Sequence, residues 1–190
     1  MLVLFQLVVL FFVIFDPPMS FAVFSITTQN LDDKERRKIA ALAISVAAVL
    51  SYGVLLLGPR LLDTFSTNLE DFRVAGGIIL GFLGIKMALG YPIAKLDPNN
   101  SSKAIAAIIA TPLLTGPAAI TALILNSSDY GLVKTALAVT IVLAFTAVIF
   151  FQAPRVQKYL GTTSIQVIST ILGLITVAWG VKFIRIGLGI

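Results

Sequence analysis

The chain has 190 residues, of which 58% are hydrophobic and 12% charged, with a mean hydropathy of +1.00. That leaves too little polar surface to coat a water-soluble globule, so lipid is the solvent for most of it. No Cys and no His occur, which excludes disulfides, thiolate or imidazole metal sites, Cys nucleophiles and His proton relays. The net charge of +5 lies largely between the apolar stretches and speaks to membrane orientation rather than to nucleic acid.

Six apolar stretches follow one another, at about 2–26, 39–57, 73–90, 104–125, 132–152 and 165–186. Each approaches the roughly 20 residues that a helix needs to cross a bilayer. Long continuous apolar runs favour helices over barrel strands, which would show segments of about 10 residues alternating in polarity. The expected fold is all-α, a polytopic membrane protein of six transmembrane helices in a single transmembrane domain over residues 1–190.

The first stretch is apolar from Met1 to Phe15, with neither a cationic start nor an Ala-x-Ala-like cleavage site, and reads as a retained span. Near its middle stands Phe15-Asp16-Pro17-Pro18-Met19-Ser20. Proline removes a helical donor and clashes with the preceding turn, while the residue before it is pushed out of the helical region. Asp followed by Pro is also the grammar of an N-cap with proline at the first helical position, so a new half-helix is expected to start here.

The polar segments Gln29–Lys38, Gly58–Asp71, Pro92–Lys103, Asn126–Asp129 and Pro154–Thr163 are expected as turns or loops. Lys34, Arg36, Arg37, Lys38, Lys95, Lys103, Arg155 and Lys158 fall on one side, and Arg60, Arg73, Lys134, Lys182 and Arg185 on the other. This bias puts the Lys34–Lys38 segment in the cytoplasm and both termini outside, in a multi-pass protein of the cell (inner) membrane. Lys86 and Lys182, in the last turns of spans three and six, are expected to snorkel to the interface.

Spans three and six share a pattern. Gly77 corresponds to Gly173 and Gly84-Ile85-Lys86-Met87 to Gly180-Val181-Lys182-Phe183, at a constant separation of 96 residues. Four residues off that register, Asp16-Pro17 in span one corresponds to Gly116-Pro117 in span four, with Thr111-Pro112 one turn earlier. Two halves of three spans each, 1–91 and 104–190, are implied. An odd number of spans makes the second half run in the opposite sense, as in transporters that bind substrate at the midplane between discontinuous helices of inverted repeats.

With helices 1 and 4 both broken, the N-termini of their second halves are expected to face one small volume with free amides and positive dipole ends, a setting for a carboxylate. Pro17, Pro18 and Pro117 carry no N–H, which leaves Met19, Ser20, Ala118 and Ala119 as candidate donors, with Thr111, Thr115 and Thr121 beside them. Asp16 is the one acidic residue well inside a span, where an ionised carboxylate costs about 2.5–3.5 kcal/mol on insertion scales. Three roles are open to it: a structural N-cap, a partner for a substrate ammonium, or a proton-coupling group. The candidate substrate-binding set is Asp16, Pro17, Met19, Ser20, Thr111, Thr115, Gly116, Pro117, Ala118, Ala119 and Thr121, and it suits a small zwitterionic amino acid.

At these residues the chain resembles the MarC family of six-span membrane proteins, also designated UPF0056, which includes the SnatA small neutral amino acid transporters. The resemblance rests on the broken first span, on Leu31-Asp32-Asp33-Lys34-Glu35-Arg36-Arg37-Lys38, on Arg73-Val74-Ala75-Gly76-Gly77, and on Thr111-Pro112-Leu113-Leu114-Thr115-Gly116-Pro117-Ala118-Ala119-Ile120-Thr121. It implies export or exchange of glycine, alanine or similar amino acids, coupled to an ion gradient of H⁺ or Na⁺, without a cofactor. The family pattern has Asn at Asp16, Gly at Met19 and Ala118, and Pro at Ala22 and Ile108, so this chain departs from it at five positions.

Two other classes are weighed. An intramembrane enzyme would need facing aspartates, a His-containing metal motif or a Gly-x-Ser-x-Gly elbow, and a nucleotide-driven pump would need a phosphate-binding loop; none of these motifs occurs. A channel or a structural subunit packed through Gly77-x-x-x-Gly81 is the remaining alternative.

Overall fold

A computed structural model describes residues 1–64, 67–91, 102–153, 155–156 and 162–190. It is helical throughout, with no strand among the described residues. The helices are α1 (Leu2–Phe15), α2 (Pro17–Thr28), α3 (Asp33–Thr64), α4 (Leu69–Ala88), α5 (Ser102–Ile108), α6 (Pro117–Tyr130), α7 (Leu132–Phe151) and α8 (Thr162–Gly187). A π-type segment, Ile109–Leu114, lies between α5 and α6.

Four stretches are long and apolar enough to cross a membrane: Leu2–Thr28, Asp33–Gly58, Leu132–Phe151 and Ser164–Gly187. The fourth apolar stretch of the sequence is cut by the π-type segment, and α4 has Glu70, Asp71, Arg73 and Lys86 within its 20 residues.

Several polar segments expected as loops are helical, for local reasons. Asp32 accepts from the Glu35 amide (2.7 Å), and with Asp33 and Glu35 in the first turn α3 starts inside the predicted Gln29–Lys38 loop. At its far end α3 continues through Gly58 to Thr64, and Asn68 then caps α4 by accepting from the Asp71 amide (2.7 Å).

Asn126–Asp129 likewise stay in α6, because Asn126 donates to the Ala122 carbonyl and Ser127 to that of Ile124, so neither side chain breaks the helix. The turn falls instead on Gly131 alone, whose φ of 89° and ψ of 152° suit only glycine. Of the predicted Pro92–Lys103 and Pro154–Thr163 loops, 92–101, 154 and 157–161 lie outside the described residues, and the remaining positions are helical.

The core is aromatic at one end of the bundle, where Phe24 of α2 stacks on Phe150 of α7 with ring centroids 4.6 Å apart. Phe11, Phe15 and Phe21 are also fully buried. Large apolar side chains point outward as well, among them Phe5, Ile78, Phe82, Val133 and Leu174. Helices apolar on both faces fit a lipid surround rather than water.

Helices α4 and α8 run antiparallel at backbone distance. A Cβ on Gly77 would lie 2.6 Å from the Gly180 carbonyl, one on Gly84 2.6 Å from that of Gly173, and one on Gly187 2.7 Å from that of Glu70. Elsewhere α6 packs on α4 and α2 on α8, while α5 packs on α3 and α1 on α7.

Candidate functional site

Asp16 closes α1 and opens α2. Its amide donates to the Phe12 carbonyl (3.1 Å), and its own carbonyl accepts from the Ser20 amide (3.0 Å). With φ 42° and ψ 65° it is the one non-glycine residue in the left-handed region among the described residues. Asp and Asn tolerate that region better than other L-residues, which otherwise lose roughly 1–2 kcal/mol there. The whole change of direction in the first span is therefore absorbed at a single residue.

The carboxylate is 3% exposed and fully engaged. Oδ1 accepts from the Met19 amide (3.2 Å), and Oδ2 accepts from the Ser169 hydroxyl of α8 (2.7 Å). The capping role expected for Asp16 is thus present in the geometry. Met19, expected as a free donor, has its amide taken by this cap, and the Ser20 amide is spent on the Asp16 carbonyl. The Ser20 hydroxyl donates to the Phe15 carbonyl (3.2 Å). Pro17 is buried beside them and Met19 is half-buried.

The second break is wider. Thr111 sits at φ −144° and ψ 115°, the extended conformation imposed by the proline that follows. The Thr115 amide reaches back five residues to the Ala110 carbonyl (2.8 Å), and Gly116 is extended (φ −83°, ψ 179°) before Pro117 starts α6. Gly116 has no side chain with which to cap, so α6 begins without an N-cap side-chain bond, and Ala118 and Ala119 in its first turn are both buried. The two helix starts therefore differ: α2 is closed by its own aspartate, and α6 is open.

Thr115 is buried and donates to the Ala47 carbonyl of α3 (3.3 Å), with Ser51 Oγ 3.5 Å away. Thr121 donates to the Pro117 carbonyl (3.0 Å), and its methyl occupies the space that a Cβ on Gly76 would need. The π-type segment touches α2, so the two breaks belong to adjoining elements. Their hydroxyl and carboxyl groups are nonetheless bonded to different helices, Asp16 to α8 and Thr115 to α3. Thr111 and Pro117 are exposed and stand outside the buried group.

Sequence reasoning missed Ser169 and Ser51, buried at 2% and 0%. No local signal marks them. Thr146 and Thr176 are equally buried hydroxyls in apolar spans, yet they bond their own helix carbonyls four residues back, at Val142 and Leu172.

A cavity of about 170 Å³ opens between the N-terminal end of α1 and the C-terminal ends of α6 and α8. Among its lining are Gln6, Asn126, Asp129, Trp179 and Lys182. Beside it Arg73 of α4 forms an ion pair with Asp129.

Helices apolar on both faces and four stretches long enough to cross a bilayer define an integral, multi-pass membrane protein. The chain matches the MarC family of integral membrane proteins over residues 1–189 and belongs to that family. It is 31% identical over 190 residues to a UPF0056 membrane protein of Buchnera aphidicola subsp. Baizongia pistaciae, covering 93% of this chain and 88% of the relative. It is 30% identical to UPF0056 membrane protein MJ1677 of Methanocaldococcus jannaschii (93% and 91% covered) and 28% identical to YhcE of Escherichia coli (93% and 87%). No solved structure matches the chain.

Proposed function

We propose that the protein is a secondary transporter that exports or exchanges small neutral amino acids such as glycine and alanine, holding them at the midplane between two broken helices. The observation that carries this reading is a buried carboxylate at one break and, at the break of the adjoining element, a helix start without a side-chain cap. The first-turn amides of Ala118 and Ala119 suit a substrate carboxylate, and Asp16 suits an ammonium. Asp16 lies at the centre of the 27-residue span Leu2–Thr28, which suits a midplane site.

Six spans in two inverted halves form the accompanying topology, and the packing supports it. With a repeat offset of 96, Gly77 and Gly84 correspond to Gly173 and Gly180, and the contacts observed are the crossed ones, Gly77 with Gly180 and Gly84 with Gly173. A two-fold axis in the membrane plane produces that crossing. The element pairs repeat in the same way: α6 on α4 mirrors α2 on α8, and α5 on α3 mirrors α1 on α7. Alignment of α4 along α8, itself a spanning stretch, favours α4 as a span too.

Asp16, Ala118, Ala119, Thr115 and Thr121 are all buried, so the conformation described is closed at this site, and a transport cycle needs an opening step. A structural-subunit reading is not favoured, because Gly77 of that motif is already packed on Gly180 within the chain. Uptake of labelled glycine and alanine into proteoliposomes, with and without pH or Na⁺ gradients, tests the proposal. Saturable uptake that glycine and alanine share and bulky amino acids do not inhibit is expected; uptake no faster than in empty liposomes would refute it.

A further inference from the structure

The cavity at the N-terminal end of α1 is built from one stripe of each of three helices. Val3, Gln6, Leu7 and Leu10 are one face of α1, Asn126, Asp129 and Tyr130 one face of α6, and Trp179, Lys182, Phe183 and Ile186 one face of α8. Continued inward at helical spacing, the α1 stripe runs through Ile14 to Pro17, the neighbour of Asp16, the α6 stripe through Ala122 to Ala119, and the α8 stripe through Thr176 and Leu172 to Ser169, the hydroxyl bonded to Asp16. At 1.5 Å per residue the cavity floor stands roughly 10–15 Å from the site.

Its chemistry is that of the site it points to. Lys182 brings an ammonium that has no carboxylate partner among the described residues. Asp129 brings a carboxylate that is ion-paired to Arg73 through Oδ1 and still 37% exposed, so it can accept a further donor. Asn126 is held in place by its bond to the Ala122 carbonyl. A cavity needs roughly 10–15 Å³ on this measure to hold one water, so about 170 Å³ accommodates a ligand of several heavy atoms.

We propose that this cleft is an entry site for the transported solute. It binds a small zwitterion with its carboxylate on Lys182 and its ammonium on Asp129 before the solute passes to Asp16. The ligand class rests on the proposed transport function; the placement and the pair of charges do not.

Trp179, the single tryptophan of the chain, lines the cavity and makes a direct reporter. Titrating the purified protein in nanodiscs with alanine is expected to give a saturable change in its fluorescence. Lys182→Gln weakens the midpoint by about tenfold or more, the loss of one charge-assisted contact, and Lys182→Arg stays within about threefold of wild type. Alaninamide, which has no carboxylate, binds wild type as weakly as alanine binds Lys182→Gln.

An unchanged midpoint in Lys182→Gln or alaninamide equal to alanine would overturn the proposal, as would saturable uptake with no fluorescence response at all. A saturable, Lys182-dependent response in a protein that shows no uptake would leave the cleft standing and remove the transport function instead.

Discussion

At Asp16 one side chain accepts two donors, the Met19 amide through Oδ1 and the Ser169 hydroxyl through Oδ2, in a left-handed backbone. Asparagine can reproduce all three features. Its carbonyl oxygen accepts from Met19, its amide donates to the Ser169 oxygen once that hydroxyl rotates, and it tolerates positive φ. Asp16→Asn is therefore expected to keep alanine transport within a few-fold of wild type, whereas Asp16→Leu loses cap, inter-helix bond and backbone fit together and abolishes it. If Asn removes gradient-driven uptake and leaves exchange intact, a proton carried on Asp16 becomes the better account.

Ser169→Ala leaves Oδ2 buried without its donor. A loss of roughly 1–3 kcal/mol is expected, read as a lower Tm in detergent. The capping of α2 by Asp16 was legible in the sequence because Asp-Pro is a local signal. Ser169 was not, since its partner lies 153 residues away and its own neighbourhood resembles that of any helical hydroxyl.

Among the elements, α4 and α8 depend most visibly on small residues. Gly77→Ala or Gly84→Ala would push a methyl to 2.6 Å from a partner carbonyl, and overpacking of this kind costs roughly 1–3 kcal/mol. Gly81 lies between them, and a Cβ there has nothing within 4 Å. Gly81→Ala is thus expected to be neutral or slightly stabilising through better helix propensity. Thermal unfolding of the three variants in one detergent checks the contrast, and a similar loss for all three would contradict the packing described.

The shared glycine pattern was legible in the sequence, and so was the broken character of both apolar stretches. The difference in width between the breaks was not. Asp16 satisfies its own helix start and confines the first break to one residue, while Thr111 and the uncapped Gly116 spread the second over a π-type segment. Helix ends were the weakest inference, because Asp32 and Asn68 cap helices from within segments that composition alone marks as loop.

For the whole molecule, six spans and four spans differ most clearly at Tyr91, the exposed residue just after α4. The chain has no cysteine, so single cysteines can be placed one at a time and labelled with an impermeant maleimide. Six spans put Tyr91→Cys on the same side as Gln29→Cys and opposite Leu132→Cys, next to Gly131. Labelling of Tyr91→Cys from the Gly131 side would mean that α4 does not cross.

The proposed arrangement, two inverted halves around a closed central site, is that of a carrier, which exposes its substrate to one side at a time, rather than of a pore. Counterflow tests this directly: proteoliposomes loaded with unlabelled alanine are diluted into a trace of labelled alanine, and internal label is followed over time. The account predicts a transient accumulation of label above the outside concentration, dependent on the internal alanine and absent in Asp16→Leu. Label that rises only to equilibrium, at a rate indifferent to internal alanine, would contradict it.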